Sequence, residues 1–262
     1  MALIGVKTLA LAADPFLGRT PGPRILIYHQ VGTNLGREME VSARSFVGQL
    51  DWIERHGTVV GLEEAVARRD DPDAQGLFAL TFDDGFADVF DVAFPILQSR
   101  ELPFTIYLTS GPIETGEPLD PRFPEAVPLT WDQVNEMLGS SLVTIGAHTH
   151  THPDLRGLAA PDIEAELDNS NELIERRTGI RPQHFTYPWG WWSGAADPIV
   201  RDRYETATVG AGSGVTGASD LHQLSRLPMQ RSDTRPFYGR KLAGGAPFEN
   251  RVRRRLTGYN GP

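Results

Sequence analysis

Short apolar runs and longer amphipathic stretches alternate along most of the chain. The runs are ILIYH (25–29), TVV (58–60), LFALTF (77–82), PFTIYLT (103–109), LVTIGAH (142–148), HFTYP (184–188) and TATVG (206–210). Rich in β-branched and aromatic residues and bounded by turn formers, each reads as a strand. Between them the period lengthens to that of a helix. In SARSFVGQLDWIERHG (42–57), Phe46, Leu50 and Ile53 share one face and Ser42 is placed to cap the first turn. DVFDVAFPILQSR (88–100) and LTWDQVNEML (129–138) are further helix candidates. The longest is PDIEAELDNSNELIERRTG (161–179), with Ile163, Leu167 and Leu173 facing inward and Gly179 as its stop. Alternation on this scale predicts an α/β fold around a parallel sheet, open or closed into a barrel.

The pattern lapses in four places. GPIETGEPLDPRFPEAVP (111–128) holds too many prolines for an element interior and is expected to be a long loop over one end of the sheet. Beyond residue 212 the alternation fades into GSGVTGASD. At the N-terminus, MALIGVKTLALAADPF (1–16) is mildly apolar but interrupted by Lys7, which predicts a surface or amphipathic helix rather than an export signal, and with it a cytoplasmic location. The C-terminal RVRRRL (251–256) reads as a solvated helix face, with a weak contact to an anionic surface as the other reading.

Composition narrows the class. A chain of 262 residues with 40% hydrophobic content can bury one large core. No stretch approaches the roughly 18 apolar residues of a membrane span. A net charge of −9 argues against a nucleic-acid partner, since phosphate binding needs a basic surface. With no cysteine, any metal must be held by His, Asp or Glu.

Two clusters carry candidate chemistry. LTFDDG (80–85) ends an apolar run with two adjacent carboxylates, Asp83 and Asp84. GAHTHTHPDL (146–155) places three of the chain's seven histidines, His148, His150 and His152, at the end of another. In an extended strand all three imidazoles would point one way, whereas in a turn His148 and His152 converge. In a parallel α/β fold both clusters fall on one rim, where sites form. One carboxylate and two imidazoles would make three ligands with a position left open, the arrangement of a catalytic metal. The second carboxylate would then accept a proton from water. The ligand set suits Zn2+, with Co2+, Ni2+ or Fe2+ also compatible.

TFDDG followed by HTHTHP resembles the polysaccharide deacetylase family, also called the NodB homology family or carbohydrate esterase family 4. The resemblance runs over residues 25–229 and includes ILIYH, FTYPWG (185–190), ATVGAG (207–212) and LSRLP (224–228). The first two look most like the branch acting on bacterial exopolysaccharides such as poly-N-acetylglucosamine. It implies a single-domain, distorted (β/α) barrel of about seven parallel strands over residues 24–245, preceded by a lead-in (1–23) and followed by a basic tail (246–262). It implies Asp83 as general base, Asp84, His148 and His152 as metal ligands, a backbone N–H at Trp189 as oxyanion donor, and His29 as acid. The expected activity is hydrolysis of N-acetyl groups on an N-acetylated glycan. The family's third motif usually supplies an arginine that orients the base, but Thr186 stands there. Arg226 of LSRLP is the expected substitute, with Arg231 behind it. The usual late histidine is also missing, and His222 is the other candidate acid. As acid, His29 would need a neighbouring carboxylate to hold its pKa near or above 7. Trp189, Trp191, Trp192 and Trp131 are candidates to stack on sugar rings. The competing readings are an amidohydrolase of a small non-carbohydrate amide and a non-catalytic carbohydrate-binding relative.

Overall fold

The computed structural model describes residues 2–17, 21–210, 212, 214–244 and 246–257. Among them the strands are β1 (Arg24–Tyr28), β2 (Gln30–Val31), β3 (Glu40–Val41), β4 (Thr58–Val59), β5 (Leu77–Phe82), β6 (Phe104–Leu108), β7 (Val143–Ala147), β8 (His184–Thr186), β9 (Thr206–Val209) and β10 (Leu224–Pro228). The helices are α1 (Ala2–Leu17), α2 (Ala43–His56), α3 (Leu62–Ala67), α4 (Phe94–Ser99), α5 (Ser110–Thr115), α6 (Trp131–Leu138), α7 (Ala160–Thr178), α8 (Asp197–Arg203), α9 (Arg235–Gly244) and α10 (Pro247–Thr257). No helix among the described residues is long and apolar enough to cross a membrane.

Seven strands close a parallel barrel in the order β1, β10, β9, β8, β7, β6, β5 and back to β1. This is the expected distorted (β/α) barrel, but its membership differs from the apolar runs. TVV forms β4, which pairs only with Leu77 and Phe78, ahead of the point where β6 takes over that edge of β5. The ring is closed instead by β10, LSRLP, whose buried Ser225 and Arg226 hid it from a search for apolar runs.

Two further differences have local causes. The segment expected as loop from residue 111 begins inside α5, because Pro112 lies in the first turn of that helix, where its missing N–H is not needed. The loop proper starts at Gly116, a left-handed stop at φ 73°. The helix expected over 88–100 opens with a π-type turn at Val89–Ala93 before α4. Pro95 cannot supply the next regular N–H, and the Phe94 N–H bonds back to the Val89 carbonyl.

Period-2 alternation sorts the barrel strands into two layers. Leu26, Tyr28, Phe78, Leu80, Phe82, Phe104, Ile106, Ile145 and Phe185 belong to the main core with Phe46, Leu50 and Ile53 of α2 and Ile163 and Leu167 of α7. The alternate positions line the lumen. Ile25, Leu77, Ala79, Tyr107 and Leu224 form a second, smaller cluster with Leu62, Ala65 and Val66 of α3. Above it comes a polar layer, because Arg226 of β10 bonds Thr81 of β5 and Thr186 of β8, neither on a neighbouring strand. The next lumen positions towards the carboxyl ends are His29, Asp83 and His148.

Gly146 of β7 lies where a side chain cannot. A Cβ there would sit 2.3 Å from Cδ1 of the buried Tyr107 ring and 3.0 Å from the His184 carbonyl oxygen. Gly146→Ala therefore overpacks the lumen and should cost about 1–3 kcal/mol. The check is a fall in the urea midpoint at unchanged slope; an unshifted midpoint would mean that the Tyr107 ring moves freely.

Candidate active site

The site lies at the carboxyl rim. The Asp83 N–H continues the barrel ladder to the Tyr28 carbonyl at 3.0 Å. Asp84 then turns left-handed at φ 72°, followed by Gly85 at φ 80°. This tight reversal sends the two adjacent carboxylates to different partners. Asp83 receives both terminal nitrogens of Arg226, each at 2.7 Å. Arg226 is fully buried, and its guanidinium also donates to Thr81 Oγ1 at 2.9 Å and Thr186 Oγ1 at 2.6 Å. Thr186 thus holds the arginine that arrives from another strand. Burial alone would raise the Asp83 pKa, but Arg226, with lesser pulls from His148 and His29, holds the carboxyl below its ordinary value. Arg231 lies elsewhere, 3.8 Å from Glu40.

Asp84 faces the histidine cluster. Its Oδ1 is 3.3 Å from His148 Nε2 and 3.4 Å from His152 Nε2. His148 Nδ1 lies 2.8 Å from the Thr186 carbonyl, which can only accept, so the ring proton is on Nδ1 and Nε2 presents a lone pair. The buried Asp84 Oδ1 has no hydrogen-bond partner. An orphaned carboxylate oxygen beside two imidazole nitrogens, one in a lone-pair tautomer, is a donor set that fits a divalent cation. Burial raises the Asp84 pKa, but the three surrounding imidazoles together pull it well below the usual range. Burial lowers His152 to about 4, which keeps that ring neutral and able to coordinate.

The HTHTH segment makes the turn that separates its histidines. Thr149 and His152 are left-handed, at φ 66° and 62°, and the His152 N–H bonds Thr149 Oγ1 at 3.0 Å. His150 swings away to Ser110 Oγ at 2.9 Å. Glu166 of α7, which sequence reasoning missed, accepts from the His150 and Thr151 N–H groups at 2.9 and 2.8 Å and from Thr151 Oγ1 at 2.6 Å. Only its position four residues before the buried Ser170 on the longest helix, facing the turn rather than solvent, distinguishes it, and a sequence offers no signal for that.

His29 lies one position beyond β1 at the same rim, within the fields of Asp84, Asp83, Arg226 and His148. The two carboxylates do pull its pKa upward, but burial is the larger effect and leaves it below the ordinary imidazole value, contrary to the expectation of a raised pKa. Its strand end is tied by Asp88, whose Oδ1 accepts the Val31 N–H at 2.7 Å. His222 lies at the opposite end of the barrel, just before β10, with Nε2 2.8 Å from the Tyr204 carbonyl. Trp189, left-handed at φ 62° and 58% exposed, is 5.1 Å from His152 and 5.8 Å from Trp191, ring centre to ring centre. Trp131 and Trp192 are instead tied to Glu114 and Asp197 and packed against the core.

Residues 70–203 match the family model described as polysaccharide deacetylase. The Bacillus subtilis (strain 168) protein YxkH is 25% identical over 211 residues, covering 78% of this chain and 71% of that one. A poly-beta-1,6-N-acetyl-D-glucosamine N-deacetylase of Escherichia coli (strain K12) is 23% identical over 227 residues; the match covers 73% of this chain but only 34% of the longer enzyme. Among solved structures, IcaB from Ammonifex degensii aligns with a TM-score of 0.72 at 24% identity, over 86% of this chain and 97% of that one. The Streptococcus pyogenes deacetylase PplD, in complex with acetate, aligns at 0.70 and 23%, over 83% and 96%. These two share the fold.

The Arg226–Asp83 pair sets a testable coupling. Arg226→Met leaves a buried carboxylate unpaired and should cost about 3–5 kcal/mol at neutral pH. In the native protein the depressed Asp83 pKa contributes stability above the unfolded carboxylate pKa, lost as pH falls through the folded value. Without Arg226 burial dominates and the sign reverses, so Arg226→Met should lose less at mildly acidic pH. Adding Asp83→Asn should recover part of the loss in denaturant titrations; strictly additive losses would mean that the two groups are not coupled.

Proposed function

The chain belongs to the polysaccharide deacetylase family, and from that membership we propose that it is a cation-dependent enzyme removing N-acetyl groups from an amino-sugar polysaccharide. The observation that carries this reading is the division of labour between neighbours: Asp83 gripped by Arg226, Asp84 turned to two imidazoles. Asp84, His148 and His152 would hold the cation, which when bound supplies Lewis acidity towards water and an acyl oxygen.

The chain's own groups do the rest. Asp83, ionised and fixed in orientation, takes the proton of the attacking water through a lone pair that Arg226 does not use. The Trp189 N–H donates to the acyl oxygen as charge develops on it, a contribution typically of about 3 kcal/mol. The C–N bond then breaks, and His29 delivers a proton to the departing amine nitrogen, giving acetate and a free amino sugar. Burial leaves less of His29 protonated but makes each protonated ring a stronger donor, and the Asp83 and Asp84 carboxylates favour the charged form that must be present when the amine departs. The exposed Trp189 ring, beside His152 and stacked on Trp191, is placed to lie against a sugar face. The poly-beta-1,6-N-acetyl-D-glucosamine N-deacetylase relative supports N-acetylglucosamine polymers as the substrate class.

Acetate release from N-acetylglucosamine oligomers, measured alongside cation content, tests the assignment. Asp83→Asn should keep the cation and lose about 10²-fold or more in turnover. Asp84→Asn and His148→Ala should lose the cation. His29→Ala should keep it, fail on amides, and recover on an acetyl ester with an activated leaving group. Full cation occupancy in both ligand variants would overturn the site, and release of product only from small non-sugar amides would overturn the substrate class.

Glu166 gives an independent check. Glu166→Ala frees the turn between the two histidine ligands and should weaken cation affinity by about 10–100-fold in chelator competition, with Glu166→Gln retaining more. Unchanged affinity in Glu166→Ala would mean that the turn holds its own shape.

A further inference from the structure

Helix α1 is built with its charges inside. Lys7 is 1% exposed, and its ammonium lies 2.6 Å from Asp233 Oδ1 and 2.5 Å from Ser232 Oγ. Asp14, also buried, pairs with Arg240 and accepts the Phe248 N–H at 2.9 Å. Lys241 adds a second ammonium 2.7 Å from Asp233, and Glu249 meets both Lys241 and Arg240. Through these pairs α1 is clamped onto α9 and α10 by its polar side chains.

What remains for solvent is apolar. The outer face carries Ile4, Leu9, Leu11 and Phe16, the last 89% exposed, interspersed with Gly5, Thr8 and Ala12 and with no charged residue. Four of the nine large exposed hydrophobic side chains among the described residues are on this one helix. Scattered exposed apolar residues need no explanation, but such a concentration on a helix of inverted polarity marks a contact surface. Beside it, α10 packs against α1 and carries Arg251, Arg253, Arg254 and Arg255 in a chain of net charge −9. Arg251 is exposed; the side chains of the other three lie outside the described residues.

We propose that α1 and α10 together dock the protein on an anionic lipid bilayer, α1 lying flat in the interface and α10 meeting the headgroups. An uncharged apolar face next to clustered arginines is the combination that an anionic interface takes, apolar residues entering the acyl boundary while the guanidinium groups pair with phosphates. A second copy fits less well, because a two-fold contact through this face would bring two basic helices together. The ion pairs beneath α1 hold that face outward, so docking needs no rearrangement.

The test is co-sedimentation of the full chain with vesicles of phosphatidylcholine, with and without phosphatidylglycerol. Binding should require the anionic lipid and weaken as salt rises. Leu9→Glu with Phe16→Glu should reduce it by about 10-fold or more, with circular dichroism and acetate release unchanged. Replacing Arg251, Arg253, Arg254 and Arg255 by Ser should remove the preference for anionic vesicles. No binding to either vesicle, or undiminished binding by both sets of variants, would overturn the proposal. So would a dimer by light scattering that the two glutamates dissociate, which would make the face an interface between copies.

Discussion

A guanidinium sealed inside a barrel has to find its hydrogen bonds there, and Arg226 organises the lumen around that requirement. Its two terminal nitrogens need acceptors out of reach of water, and they take both oxygens of Asp83 and the hydroxyls of Thr81 and Thr186. Small threonines stand on the facing strands because larger apolar side chains would block the reach and offer no acceptor. Tyr107 packs its ring under the guanidinium at 5.4 Å, and Gly146 yields the space for that ring. Residues on or just beyond four strands, β5, β6, β7 and β8, thus answer to one side chain. The reward is a carboxylate held in one orientation and kept ionised, where an unpaired buried carboxyl would drift towards its neutral form.

The rim above this layer is made of turns held in uncommon backbone conformations. Among the described residues six non-glycine positions have positive φ, and four of them, Asp84, Thr149, His152 and Trp189, are in the loops that follow β5, β7 and β8. Asp and His tolerate this region; β-branched Thr149 and bulky Trp189 adopt it only when their surroundings insist. Those surroundings are visible. Glu166 grips the middle of the histidine turn, while the Gly111 N–H bonds the His150 carbonyl at 2.8 Å, an approach so close that any side chain on Gly111 would collide with that oxygen.

Much of this was legible in the sequence, and the exceptions share a cause. Wherever a strand buries apolar residues in succession, as LFALTF and PFTIYLT do, the run reads directly. LSRLP does not, because its central position is an arginine whose solvation is replaced by partners on strands far away in the chain. TFDDG and HTHTHP carry their chemistry in residue type and spacing, so both clusters could be located without coordinates. The polar residues that brace them, Glu166, Asp88 and Thr186, look like any surface or strand residue until the fold turns them inward. Lys7 misleads in the same way: as an interruption in an apolar stretch it suggests a solvent-facing charge, yet it is among the most deeply buried side chains in the protein.

Barrel closure has a kinetic side. The cation-ligand candidates all precede residue 153, just beyond the ends of strands that pair with near neighbours, β5 with β6 and β6 with β7. Arg226 arrives only when β10 pairs with β1, a contact between segments about two hundred residues apart, and such long loop closures are the slow steps of folding. A chain emerging from synthesis can therefore gather Asp84, His148 and His152 well before the proposed base, Asp83, is gripped and oriented by Arg226. Hydrolytic competence is then the last property the fold acquires, conferred by the same strand that seals the ring.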